Sequence, residues 1–312
     1  MRDGHWNRRQ LLATLGAAAT AAWVPTGFAA PRDTWFGLDA DALAGQVALV
    51  TGSTDGLGRE VALELAGLGA TVLVHGRNRE RGEAVVQEIR ELGRDAIFYP
   101  ADFAALAGVR SLAETVRRDH ERLDLLINNA GIWRREGDDT RHLSEDGHEL
   151  MFAVNYLAGF LLTHELRPLL AAAAPSRVIN VASRAQTPID FDDPMLEQEF
   201  SPGRAYAQSK LAQILFTFDI AEAFAADGIT VNSLHPATLM DTTMVRLAGM
   251  APRATVEEGV EAVMQLAVSP AYAERGGLYL EGLEETRAHD QAYDETARAT
   301  LRELSKALVA RD

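Results

Sequence analysis

The sequence predicts an α/β fold: one doubly wound domain with a mostly parallel, seven-stranded sheet and helices on both faces. Three observations point there. Short, almost wholly apolar runs alternate with amphipathic helical segments from about Gly45 to the C-terminus, the pattern of strands buried on both faces. The first of these runs passes through a glycine-rich turn directly into a helix. The alternation continues without an internal repeat, so one domain is preferred over two.

Composition narrows the classes. The 312 residues are 47% hydrophobic and 24% charged, as in an ordinary globular protein. A formal charge of −15 argues against nucleic acid and anionic membrane surfaces as partners. With no cysteine in the chain, disulfides, thiolate catalysis and cysteine-ligated zinc are all excluded.

Residues 1–29 read as an export signal. Asn7-Arg-Arg-Gln-Leu-Leu12 opens an alanine-rich apolar run from Leu11 to Val24, followed by the small residues Gly27 to Ala30. The paired arginines resemble a twin-arginine signal, with cleavage after Ala29. The run is short for a bilayer span of about 18–20 residues, so no stable membrane anchor is expected. The alternatives are a loosely held amphipathic helix or a misplaced start, with the protein then cytoplasmic. Residues 30–44 read as a linker and 45–312 as the domain.

Gly45 to Thr51 is the first predicted strand. It runs into Thr51-Gly-Ser-Thr-Asp-Gly-Leu-Gly58 and a helix over 59–68. Strand, glycine turn and helix in that order form a Rossmann-type phosphate site, with backbone N–H groups and the helix N-terminus facing a pyrophosphate. Gly52 permits the turn, Gly56 lets the cofactor approach, and Gly58 allows close helix–strand packing.

The second strand, Thr71 to Gly76, ends at Arg77 and Asn78. An acid there would bind a ribose 2′-hydroxyl, whereas an arginine accommodates a 2′-phosphate. The acid is missing and Arg77 is present, so NADP(H) is preferred over NAD(H), although Arg79 and Arg81 compete for the role. His75 reads as a strand-end packing residue. A helix over 80–92 and a strand over 95–99 lead to Asp102, placed either to meet the adenine amino group or to cap a helix. The fourth strand ends in Asn128-Asn-Ala-Gly131, whose small residues leave room for a flat ligand. Asn155 stands among apolar helical neighbours as a satisfied core amide or a functional one. The fifth strand, 177–183, ends at Ser183. A polar loop over 184–204 follows, and its acids Asp190, Asp192 and Asp193 lack metal-ligand company. The sixth strand spans 229–236, with Thr238, Thr242 and Thr243 after it. Leu278 to Glu281 is a seventh, edge strand, and 293–309 a final helix.

Tyr206-Ala-Gln-Ser-Lys210 gives this frame its chemistry. Tyr206 and Lys210 share one helix face, and Leu211, Ile214, Leu215 and Phe218 support the helical period. A nearby ammonium lowers a phenol's pKa towards the range where it works as a general acid and base. Alone, the pair is also what a core-edge tyrosine beside a solvated lysine would give.

Together these motifs resemble the short-chain dehydrogenase/reductase family. The pieces are the Thr51–Gly58 turn, Asn128-Asn-Ala-Gly131, Asn155, Ser183 and Tyr206 to Lys210. His75-Gly-Arg-Asn78, Ile189-Asp-Phe-Asp-Asp193 and Ala205 to Leu211 resemble its retinol dehydrogenase-like branch, which includes the WW-domain oxidoreductases. The branch's His-Pro-Gly turn is His235-Pro-Ala237 here, with alanine in place of glycine.

The resemblance implies an oxidoreductase that moves a hydride between NADP(H) and a lipophilic carbonyl or alcohol. Tyr206 would be the general acid/base and Ser183 would orient the substrate oxygen. Lys210 would bind the nicotinamide ribose and lower the Tyr206 pKa, and Asn155 would hold a relay water. The implied cofactor contacts are Gly52, Ser53, Thr54, Gly56, Leu57, Gly58, Arg77, Asn78, Asp102, Phe103, Asn129, Ala130, Gly131, Tyr206, Lys210, Pro236 and Thr238. No metal is expected, and homo-oligomerisation stays open. A non-catalytic dinucleotide sensor or scaffold is the other class, disfavoured because all four catalytic residue types are retained. An epimerase of the extended relatives fits the glycine spacing less well.

Overall fold

The computed structural model describes residues 35–134 and 137–310. The proposed signal, residues 1–29, lies outside them. Among the described residues, eight strands form one sheet: β1 (Val47–Val50), β2 (Thr71–Gly76), β3 (Ala96–Pro100), β4 (Leu125–Asn128), β5 (Ser176–Val181), β6 (Ile229–His235), β7 (Tyr279–Glu281) and β8 (Glu284–Glu285). Their order is β3-β2-β1-β4-β5-β6-β7-β8. Every pairing from β3 to β7 is parallel, and only β8 runs antiparallel, with Glu281 opposite Glu284.

The eighth strand corrects the expected count of seven. Two exposed glutamates carry no hydrophobic alternation, so nothing in their pattern marks a strand. The local cue is the turn itself, Gly282-Leu283, in which Gly282 has φ +58°. A two-residue hairpin loop demands such a residue.

Successive residues of the central strands face opposite sides, which explains their continuous apolar runs. Leu49, Leu73 and Leu126 enter a core shared with helices α3 (Leu106–Asp119), α5 (Ala158–Ala172), α6 (Pro202–Ala225) and α9 (Glu295–Leu308). Ala48, Val50, Val72, Val74 and Ile127 enter the opposite core, with α1 (Gly56–Gly67), α2 (Arg79–Glu91) and α8 (Val256–Val268). Two short helices complete the described set, α4 (Leu150–Phe152) and α7 (Thr243–Leu247). Among the described residues, no helix is long and apolar enough to cross a membrane.

The described part of the expected linker is packed against the domain. Trp35 is buried in the core beside α1, and its indole N–H donates to Glu64 at 2.7 Å. The Leu43 N–H donates to the Leu68 carbonyl at 2.8 Å.

The long helix α6 starts where local chemistry dictates. Ser201 caps it by accepting from the Arg204 N–H at 3.2 Å, and Pro202 occupies the first turn, where a missing N–H costs nothing. That start sets the phase of the helix, and with it the direction in which Tyr206 and Lys210 project.

Candidate active site

Because β1 to β7 are parallel, their C-terminal ends lie along one edge of the sheet. The chain visits β2 and β3 on one side of β1, then returns to β4 on the other. The crevice for a ligand in such sheets opens at that reversal. The glycine turn follows β1, Asn129 to Gly131 follow β4, Ser183 follows β5, and Pro236 to Thr238 follow β6.

The turn after β1 is shaped by close approach. Gly52 has φ +66°, and a Cβ there would lie 2.9 Å from the Ala130 Cα. A Cβ on Gly58 would lie 2.5 Å from the Gly52 carbonyl oxygen and 2.4 Å from Asn129 Nδ2. Side chains are therefore excluded along this cradle, which suits a pyrophosphate against the first turn of α1. Leu57 is in the core, so at this cradle it can offer only its backbone. Ser53 is fully buried, donating to the Val50 carbonyl at 2.7 Å and accepting from the His75 N–H at 3.0 Å. Thr54 packs against the end of β2 at Gly76.

His75 does more than pack. Its Nδ1 accepts the Gly52 N–H at 3.1 Å, and its ring stacks on Phe103 at 4.3 Å. Burial pushes the imidazole down to about 4, so it is neutral and able to accept at Nδ1. Phe103 is thereby committed to the core rather than to a ligand face. Strand-end position hinted at the packing, but the contact with Gly52 crosses between strands and leaves no local signal.

Beyond β2, Asn78 spends its side-chain oxygen capping α2, accepting from the Arg81 N–H at 2.9 Å. Asp102 accepts from the Ala104 N–H at 2.9 Å in the turn ahead of α3, whose cap position is Ala105 without a side-chain bond, so the expected helix-capping role is not found. Arg81 pairs with Asp55 at 3.2 Å and Arg79 with Glu83 at 3.0 Å. Arg77 is 75% exposed and reaches Asp102 only at 3.9 Å. Of the three arginines it has the loosest partner.

Two residues absent from the expected set organise the β4 side. The Thr51 hydroxyl accepts from the N–H groups of Asn129 and Ala130, both at 2.9 Å. Trp133 stacks on Tyr206, with ring centroids 5.1 Å apart and planes 23° apart. Its indole N–H is buried without a partner among the described residues. The small-residue motif ending at Gly131 located the turn, but not the ring contact two residues on.

Asn155 sits in a π-helical turn, Ala153–Leu157, between α4 and α5. Such bulges often mark functional positions. Its Oδ1 accepts from the Ile132 N–H at 2.7 Å, and its Nδ2 donates to the Ile132 carbonyl at 3.0 Å and to Ser209 at 2.9 Å. The side chain braces the turn after β4. Any water it serves towards Lys210 would sit on its backbone.

Tyr206 and Lys210 do lie on one face of α6, with Lys210 Nζ 5.7 Å from the phenol ring centre. Ser183 faces the phenol and draws its pKa down, but burial outweighs this and leaves it raised. The depression expected from Lys210 is not found, because burial is the larger influence on the phenol. The ammonium points away, donating to the Val181 carbonyl at 2.8 Å and to Gln213 Oε1 at 2.9 Å. Burial also pushes Lys210 down to about 7, so at neutral pH much of its charge is missing. After β6, Pro236 is buried. Thr238 accepts from Arg184 at 3.2 Å and meets His235 Nε2 at 3.1 Å. The loop acids have structural employment: Asp193 accepts from the Glu197 and Gln198 N–H groups, and Asp190 pairs with Arg204.

Comparison with known proteins agrees with this geometry. The family described as short chain dehydrogenase matches residues 46–251. Human retinol dehydrogenase 14 is 34% identical over 95% of this chain and 97% of its own length. A crystal structure of a protein from Mycobacterium paratuberculosis superposes with a TM-score of 0.71 at 28% identity, covering 87% of this chain and 96% of its own. A short chain dehydrogenase from Burkholderia cenocepacia, in complex with NADP, gives 0.63 at 29% identity, covering 77% and 96%. The chain belongs to the short-chain dehydrogenase/reductase family, in its retinol dehydrogenase-like branch. It is an NAD(P)-dependent oxidoreductase of CH–OH and C=O groups.

A stability test follows from His75. Its folded pKa of about 4 lies below the ordinary 6.5, so the unfolded chain takes up the proton first. Stability is lost as pH falls from about 6.5 and the loss is complete near 4, reaching on the order of 3 kcal/mol for this group. Urea unfolding of the wild type and His75→Phe at pH 7 and pH 4.5 should show the wild type losing ground to the variant. A constant difference would mean the imidazole is not held neutral.

Proposed function

We propose that this short-chain dehydrogenase/reductase is an NADP(H)-dependent carbonyl reductase or alcohol dehydrogenase of lipophilic substrates, with Tyr206 as its general acid/base. The observation that carries this reading is the joint placement of Tyr206, Lys210 and Ser183 at the sheet edge that also holds the glycine cradle. Nicotinamide, when bound, supplies or accepts the hydride. In the reducing direction the Tyr206 phenol gives its proton to the substrate oxygen, and in the oxidising direction it takes one back. Ser183 donates to that oxygen and stabilises its developing charge. Lys210 places a titratable amine one helical turn from the phenol, Asn155 holds the turn after β4 in place, and the cradle from Gly52 to Gly58 receives the pyrophosphate.

Two observations support a lipophilic substrate. Tyr206 is packed with Ile132 and Phe200 around buried Met151, Leu196 and Ala205. Trp133 stacks on its ring. The human relative, a retinol dehydrogenase by name, points the same way.

Tyr206→Phe removes one hydroxyl, so folding and NADPH binding should survive while turnover of an aldehyde and ketone panel largely disappears. Near-normal rates in that variant would sink the assignment.

The preference for NADP(H) rests on Arg77, loosely held beyond β2 where no acid stands at the strand end. A charge-assisted bond to a 2′-phosphate contributes about 1.5–3 kcal/mol. Arg77→Ala should weaken NADPH roughly tenfold or more and leave NADH nearly unchanged. A wild type that favours NADH contradicts this part of the reading.

Export through residues 1–29 is the accompanying proposal. A twin-arginine route carries folded proteins, so the chain would travel with its dinucleotide already bound. Fractionation with N-terminal sequencing tests it. A periplasmic product beginning near Ala30, lost in an Arg8→Lys/Arg9→Lys variant, supports the route, and a cytoplasmic protein beginning at Met1 removes it.

A further inference from the structure

Lys210 is a cation only 4% exposed, and no carboxylate among the described residues forms an ion pair with it. An unpaired buried charge is costly unless acceptors satisfy it. Two do. One is the Val181 main-chain carbonyl, which any residue there would provide. The other is Gln213 Oε1, which depends on the identity of one side chain.

Gln213 lies three residues further along α6 and is 3% exposed. Its helical turn is tied to the sheet by a chain of buried hydrogen bonds. The Thr217 hydroxyl donates to the Gln213 carbonyl at 2.8 Å and accepts from the Asn180 amide at 2.8 Å. Asn180 in turn accepts from Asn128 at 2.9 Å. The amide that holds Lys210 is therefore placed relative to both β4 and β5.

We propose that Gln213 is the positioning residue for Lys210: its side-chain carbonyl aims the ammonium and sets how much of its charge the buried site retains. This rests on the reading that Lys210 and Tyr206 serve hydride transfer. An ammonium has three donors. Val181 and Gln213 use two, leaving the third for the ligand side.

The choice of an amide has a consequence for charge. The titratable and charged groups around Lys210 are Tyr206 on its own helix and His235 at the end of β6, both held neutral by burial, and Arg184 beyond β5, which acts with Lys210 on His235. None is a carboxylate. A glutamate at 213 would hold the lysine fully charged. An apolar residue would remove one of its two acceptors and favour the neutral amine. Glutamine gives the ammonium an acceptor without a countercharge, so burial still pushes the lysine down to about 7.

The test compares wild type, Gln213→Met, Gln213→Glu and Lys210→Met. The readouts are the pH dependence of kcat and kcat/KM, NADPH affinity by fluorescence titration, and the thermal transition. Activity that needs the ammonium is lost as pH rises through the lysine's pKa, so this upper limb reports its charge. Gln213→Met should move the limb to lower pH and weaken NADPH roughly tenfold. Gln213→Glu should move the limb to higher pH. Opposite displacements of the two variants are the signature of positioning, because a merely structural residue would shift the thermal transition and leave the limb in place. If Gln213→Met does not fold, Gln213→Glu carries the test, and an unmoved limb there overturns the proposal. If Lys210→Met keeps turnover and NADPH affinity, the catalytic reading itself fails. If Lys210→Met is inactive while both Gln213 variants keep wild-type profiles, only the role of Gln213 falls.

Discussion

The site depends first on one hydroxyl. Thr51, the last residue before the glycine turn, accepts the N–H groups of Asn129 and Ala130 and donates to the Ile127 carbonyl at 3.2 Å. Asn129 answers by donating its amide to the Thr51 carbonyl at 2.8 Å. These bonds join the ends of β1 and β4 across the point where the strand order reverses. A parallel sheet must open a crevice there, because the chains leaving the two strands depart in different directions. The backbone ladder ends at the Thr51 N–H on Ile127, and beyond it the Thr51 hydroxyl is what ties the Asn129–Ala130 turn, the wall of the cradle at Gly52, to the end of β1.

Buried polar contacts carry the same logic inward. Asn128 reaches Thr163 and Asn180, Asn180 reaches Thr217, and Asn155 reaches Ile132 and Ser209. Amides are costly to strand away from water, so the arrangement that pairs the Asn155 and Asn180 side chains and the Asn128 amide N–H donors is nearly unique, although the Asn128 Oδ1 stays without a partner among the described residues. Apolar packing alone would let α5 and α6 slide over the sheet by fractions of an ångström. The amide ladder removes that freedom directly beneath the residues that need it least.

What was legible in the sequence follows the reach of local rules. The glycine turn was visible because positive φ and close approach leave few residues to choose from. The face shared by Tyr206 and Lys210 was visible because helical periodicity dictates it. The order of strands and helices followed from apolar runs that had to be buried on both sides. Contacts between distant segments were not legible. His75 supports Gly52, Trp133 stacks on Tyr206 and Gln213 holds Lys210, yet no local pattern marks any of these contacts. The direction of the lysine was missed for the same reason: periodicity places a residue on a face but does not say which acceptor its ammonium will find. β8 escaped because two glutamates join the sheet through a turn and not through any apolar face of their own.

The charge of the site runs against the charge of the chain. A formal −15 would repel an anionic dinucleotide, but the Debye length in physiological salt is about 8 Å, so the near field decides. Close to the crevice the carboxylates are already engaged. Asp55 caps α1 through the Gly56 N–H at 2.8 Å and pairs with Arg81, and Asp102 binds the Ala104 N–H and approaches Arg77. What remains to meet an incoming anion is the first turn of α1, Arg77, and further in, Lys210 and Arg184. Backbone donors at a helix N-terminus cannot be titrated away, whereas the Lys210 ammonium can. On the proposed reading, fixed partial charge and Arg77 would meet the phosphates, and Lys210, a titratable charge, would serve the reacting end. That division would place binding and proton chemistry under separate control within one sheet edge.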